Sequence, residues 1–197
     1  MEPSSPPSFE SLLGEILPRA YSMACSLTGD RSDAEDLLQD AALRAFRAFD
    51  SFAPGTNFKA WFFKILTNCH FERHRRSGSR PETVDLDDAP DLFLYQRTAE
   101  AGLHQGCDDP AALVMSKMTA EQVMSVIAAL PEEFRVVATL CFADDMTYEE
   151  IAEVLGCPVG TVRSRLHRSR KMLQKGLWSI AEKSGIVGEL AARRATA

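Results

Sequence analysis

Between Val159 and Lys175 the chain carries six Lys or Arg and no acid, and Arg163, Ser164, His167, Arg168 and Lys171 recur at spacings of three and four residues. On a helix that spacing keeps them off the face that Val162, Leu166 and Leu173 turn inward. Guanidinium, hydroxyl and imidazole groups on one exposed face are the equipment for binding nucleic acid, where arginine can grip phosphate or pair with guanine in bidentate fashion. A solvated basic face on a structural helix is the plain alternative. A second basic run lies between Lys64 and Arg80, with five Lys or Arg against Glu72 alone. Catalytic chemistry has little support. His70, His74, His104 and His167 lack metal or triad spacing, no glycine-rich phosphate loop is present, and neither a cofactor nor an enzymatic activity is expected.

The elements around the first cluster explain why it should face DNA. Thr147 and Glu150 have the T-x-x-E spacing of a capping box, so a helix starts there. Ile151, Ala152, Val154 and Leu155 give it an apolar face, and Gly156-Cys157-Pro158 marks a turn into the basic helix. Capped helix, glycine turn and basic second helix together make a helix-turn-helix.

The 197 residues are 45% hydrophobic, enough for folded cores in one ordinary domain or two small ones. A net charge of −6 does not oppose DNA binding, because the charge is segregated: Glu82 to Asp109 holds eight acids against Arg97 alone. The cysteines at 25, 69, 107, 141 and 157 are odd in number and contain no C-x-x-C pair, so they read as reduced packing residues, with redox sensing the alternative. MEPSSPPSFE lacks the pattern of a signal peptide, and no apolar run has membrane-spanning length; a cytoplasmic protein without membrane insertion is expected.

Alternating strand patterns are absent, so the expected fold is all-α: two small helical domains joined by a flexible acidic linker, with the helix-turn-helix in the second. Residues 1–7 read as a disordered Pro/Ser-rich start. In 8–80, one helical pattern breaks around Pro18; a second, with Ser32 and Glu35 at capping-box spacing, sets Ala34, Leu37, Leu38, Ala41 and Ala45 on one face. Phe52 to Asn57 is a turn, and a third helix runs from about Phe58 to Arg76. Residues 81–109 form the linker, with an apolar island at Leu92 to Tyr95 that suits a docking segment. In 110–177, Thr119 and Gln122 form another candidate capping box, and Pro131 suits the first turn of a helix. Residues 178–197 are an extension; Leu177 just before it and its own Ile180, Ile186, Val187 and Leu190 either pack on the preceding domain or bind a partner.

Four segments in this order, DAEDLLQDAALRAFRAFDSF, NFKAWFFKILTNCHFERHRR, LPEEFRVVATLCF and TYEEIAEVLGCPVGTVRSRLHRSRKML, resemble the extracytoplasmic-function sigma factors of the bacterial sigma-70 family. The likeness covers roughly Phe9 to Leu177. It implies a factor that binds core RNA polymerase and brings it to promoters through minus-35 and minus-ten elements. It further implies docking on the clamp helices of the largest polymerase subunit through Asp36, Leu37, Gln39 and Asp40, and contact with the flap of the second-largest. Capture of an unpaired minus-ten base would involve Phe52 to Asn57 as the wall of its pocket and Asn68 on the base edge, with Lys64, Arg73, Arg75 and Arg76 on the phosphates. Trp61 either stacks on a base or packs in the core. In the minus-35 element, Arg163, Ser164, His167 and Arg168 would meet base edges, and Thr161 and Arg165 phosphates. An anti-sigma factor is a further partner that the family implies. Within the linker, Asp85, Asp87, Asp88 and Asp91 either mimic nucleic acid in the polymerase channel or form part of a passive tether. The rival reading is a stand-alone DNA-binding regulator whose first half senses a ligand or dimerises.

Overall fold

The computed structural model describes residues 7–76, 93–101, 116–142 and 144–195, and every regular element among them is helical. Ser8 caps α1 (Phe9–Thr28), its hydroxyl accepting from the Ser11 N–H, and Gly29 ends it at φ 75° in the left-handed region. Contrary to the expected break, α1 runs through Pro18. The cost is a missing bond to the Gly14 carbonyl, on an exposed stretch of the helix where water can take its place. α2 (Arg31–Ala48) also departs from expectation at its start. Asp30, not Ser32, is the cap, its carboxylate accepting from the Ser32 and Asp33 N–H groups at 2.8 and 3.1 Å. A 3-10 turn (Phe49–Ser51) and a loop lead to α3 (Phe58–Arg76).

The other half begins with α4 (Phe93–Glu100), inside the expected linker. Then come α5 (Ala120–Ala128), α6 (Glu132–Phe142), α7 (Tyr148–Leu155), α8 (Val159–Lys183) and α9 (Ile186–Ala195). The expected capping boxes at Thr119/Gln122 and Thr147/Glu150 are both formed. Gly156 closes α7 at φ 62°, where a side chain would be strained, and so sets the turn into α8. Asp85, Asp87, Asp88, Asp91, His104, Cys107 and the helix onset near Pro110 lie outside the described residues.

Packing joins the two halves. Met23, Leu27, Leu37, Phe62, Phe63 and Leu66 of the first and Val136, Leu140, Ile151, Val162 and Leu166 of the second belong to one apolar cluster. α3 lies on α7, and α1 on α5 and α6. A second cluster, Val126, Ile127, Leu130, Phe134, Leu173 and Leu177, fastens α5 and α6 to the middle of α8. Burial of these side chains, about 1.5–3 kcal/mol each, holds the helices in place where isolated helices of this length would be marginal. The described cysteines are unpaired, and burial pushes the Cys69 and Cys141 thiols up, as suits packing residues better than reactive ones.

Candidate nucleic-acid interface

The buried side of α8 is Val162, Leu166, Ser169 and Leu173. Ser169 satisfies its hydroxyl by donating to the Phe134 and Arg165 carbonyls, which fixes the rotation of α8 on α6. That rotation leaves Arg163, Ser164, His167 and Arg168 together on the exposed side. Thr161 is half-buried, and its carbonyl accepts from the Ser164 hydroxyl at 2.9 Å. Arg165 turns to the flank, 3.4 Å from the Glu133 carboxylate of α6. The expected base-edge set is thus one surface, with Arg165 beside it rather than within it. Glu150, the residue that closes the α7 cap, has its carboxyl held below the usual range, first by the Thr147 N–H and then by the Thr147 hydroxyl, Lys59 and Asn57.

In α3, Lys64, Asn68 and Arg75 are exposed and Trp61 half-exposed, at helical spacings that place all four along one stripe. The indole also packs within the core: its ring centroid lies 5.3 Å from Phe52 and 5.6 Å from Phe58. Phe52 is itself buried, stacked on Phe49 and edge-on to Phe58, so it supports the loop from beneath instead of walling an open pocket. Asn57 is occupied at both ends of its amide. Its Oδ1 accepts from the Ala60 N–H at 3.1 Å, starting α3, and its Nδ2 donates to Glu150 Oε1 at 2.7 Å across the domain boundary. Lys59 adds a second such link by donating to the Asp144 carbonyl. Arg73 pairs with Asp40 of α2 and is not a free phosphate ligand here. The Arg76 side chain lies outside the described residues.

On α2, Asp36 and Gln39 are exposed, as a partner surface requires, whereas Leu37 is completely buried and anchors the helix from behind. Sequence reasoning missed Leu43 and Phe46. Both are more than half exposed, at 56% and 58%, and with Phe9, Glu10, Gln39 and Ala42 they line an open groove of about 430 Å³. A signal was available: Phe46 falls three residues from Leu43 and seven from Gln39, on the polar side of the helix where an apolar residue has no core to fill.

Under the domain boundary lie two buried titratable groups. Asp144 is 2% exposed, and its carboxyl is pushed up to about 6 by burial, with Lys59 and Arg19 opposing. His70 is 5% exposed and pushed down to about 4 by burial, then by Arg135, His74 and Arg73. Its Nε2 is 3.1 Å from Glu132 Oε1 of α6 without the alignment of a hydrogen bond. Among the described residues no group of three or more His, Cys, Asp or Glu is arranged to hold a metal ion, and no helix is long and apolar enough to cross a membrane.

Comparison with known proteins adds two family matches, in the order of the two halves: Sigma-70 region 2 over residues 12–80 and Sigma-70 region 4 over residues 120–173. The ECF RNA polymerase sigma factor SigE of Mycolicibacterium smegmatis is 36% identical over 173 residues; the match covers 85% of this chain and 61% of that relative, less than two thirds of its length. The ECF RNA polymerase sigma-E factor of Escherichia coli is 34% identical over 141 residues, 72% of each chain. Among solved structures, the sigma factor RpoE of Bartonella quintana, crystallised with the anti-sigma factor NepR, superimposes with a TM-score of 0.62 at 28% identity, covering 86% of this chain and 96% of that one.

Proposed function

The chain belongs to the extracytoplasmic-function sigma factors of the sigma-70 family, and we infer that it binds core RNA polymerase, directs it to promoters and nucleates melting, leaving the chemistry to the polymerase. The observation that carries this reading is the pairing of two DNA-competent surfaces on one chain. One is the exposed basic face of α8; the other is the stripe Trp61, Lys64, Asn68 and Arg75 on α3. The first suits a base-paired major groove and the second an unpaired strand, held by cations and an aromatic edge.

Polymerase docks on the exposed face of α2. Asp36, Gln39 and Asp40 supply polar contacts, as the family likeness implies for the clamp helices of the largest subunit, and Leu43 and Phe46 extend that face with apolar area. The second half, with its helix-turn-helix, sits at the flap of the second-largest. In the packed arrangement Asn57 is bound to Glu150 and Arg73 to Asp40. Use of either residue on DNA therefore requires those contacts to exchange. The Bartonella sigma factor was crystallised with an anti-sigma factor; an anti-sigma partner of this chain would act by holding its two halves together. The site of action is the cytoplasm, with the polymerase.

The test is reconstitution. Core polymerase, the full chain and a library of promoter fragments should yield specific transcripts that vanish when the chain is omitted. Tight duplex binding with no association with core polymerase would favour the stand-alone regulator instead.

A further inference from the structure

Neither family match reaches residues 93–101 or the chain beyond residue 173, yet the fold brings these two segments together. α4 lies along the C-terminal half of α8. Arg97 is the centre of the contact: one guanidinium nitrogen donates to Glu100 at 2.7 Å, the other to Glu182 at 3.0 Å, and its Cζ stands 5.5 Å from the Trp178 ring centroid. Thr98 has no exposed surface. Ala101 packs on the buried cluster of Trp178, Ala181 and Leu190, which Ile186, Val187 and Ala191 complete. Gly185, at φ 73°, turns α9 back to close that cluster.

We propose that Trp178 to Ala195 form a dock for the linker helix α4 of this same chain. The fit supports that occupant on two counts. The acid and the aromatic face of α8 match the charge and the flat guanidinium of Arg97, and the small Ala101 seats on the apolar cluster. The dock ties the middle of the connection between the two DNA-binding halves to the far end of the recognition helix. An eight-residue helix has little stability alone, so helicity in α4 reports occupancy of the dock. Beside this buried apolar contact the polar pairs are small levers, since an exposed ion pair or cation–π contact shifts an equilibrium by only about two- to fivefold.

Hydrogen exchange on the full chain tests this without recourse to transcription, so a failed dock and a failed sigma-factor reading are separable. The proteins are wild type, R97E, E182R and the R97E/E182R pair. R97E removes the cation from Trp178 and places a third carboxylate beside Glu100 and Glu182, so amides of residues 97–101 should exchange about tenfold faster. E182R should act in the same direction, and the pair should recover part of the protection, with α7 amides unchanged throughout. Coil-like exchange of α4 in the wild type, equal rates in all four proteins, or equal acceleration in α4 and α7 would overturn the dock.

Discussion

Replacing Asp144 by Asn should stabilise the protein, and by an amount that depends on pH. Asp144 is buried where the turn before α7 meets α3, with Oδ2 lacking a hydrogen-bond partner. Its carboxyl titrates at about 6 against an ordinary 3.8, raised by burial. At about 1.4 kcal/mol per tenfold change in proton affinity, that displacement amounts to roughly 3 kcal/mol. The fold therefore bears an ionised carboxylate at pH 7.5 at a cost near that figure. The cost falls as pH drops through about 6, and it is gone below 3.8. His70 has the opposite sign. Its imidazole is kept neutral down to about 4, against an ordinary 6.5, so stability is full above 6.5 and declines as pH falls toward 4. In the wild type the two slopes oppose each other between about 4 and 6 and largely cancel.

Urea titrations at several pH values separate the two groups. D144N should exceed the wild type by about 3 kcal/mol at pH 7.5, roughly half that at pH 5 and about 0.5 kcal/mol at pH 4. H70Q, destabilised at pH 7.5 by lost packing, should close its gap to the wild type as pH falls below 6.5. A D144N advantage that stays constant from pH 7.5 to 5 would refute the account of Asp144. A His70 ring resonance titrating above 6.5 would show that the Glu132 carboxylate, not burial and the neighbouring cations, governs the imidazole.

Four further outcomes are expected. Thr147→Ala removes the hydroxyl that accepts from the Glu150 N–H at 3.2 Å and should cost about 1 kcal/mol in urea unfolding, while Thr147→Ser should recover most of it. Gly176→Ala would place a Cβ 2.5 Å from Val126 Cγ1, on a β-branched side chain that cannot swing aside. The overpacking cost of about 1–3 kcal/mol exceeds the helix-propensity gain of about 1 kcal/mol, so Tm should fall, and Val126→Ala should relieve the clash in the double variant. Arg168→Ala should lose about 1–3 kcal/mol of binding on a cognate minus-35 duplex and less on unrelated DNA by fluorescence anisotropy; equal losses would assign it to phosphate alone. Phe46→Ala should weaken core polymerase binding by about tenfold or more with only a small fall in Tm, since the residue is 58% exposed in the free chain and its ring meets Phe9 edge-on at 5.5 Å.

The legible parts of this protein are those whose causes lie within a few residues. A threonine and a glutamate three apart cap a helix by closing bonds to their own backbone, and a glycine at the helix end supplies a left-handed φ; both were readable around Thr147 and Gly156. The faces of α8 followed from period alone. Even local rules had competitors: Asp30 outbid Ser32 for the start of α2 because its carboxylate reaches two N–H groups at once, and Pro18 was carried through α1 by packing on both sides of it.

Only the tertiary structure decided which side chains were already engaged. Asn57 and Glu150 are 93 residues apart, and Arg97 and Glu182 are 85 apart; no local spacing encodes either contact. The burial of Leu37 beside the exposure of Phe46, and the helicity of α4 within an acidic stretch of weak periodicity, belong to the same class. The sequence determined which segments could read nucleic acid, because charge, caps and helical period act over one or two turns. Which of those groups are available, which are held by the other half of the chain, and which lie buried depend on how amphipathic faces share a core, and that is settled only when all of them compete for it at once.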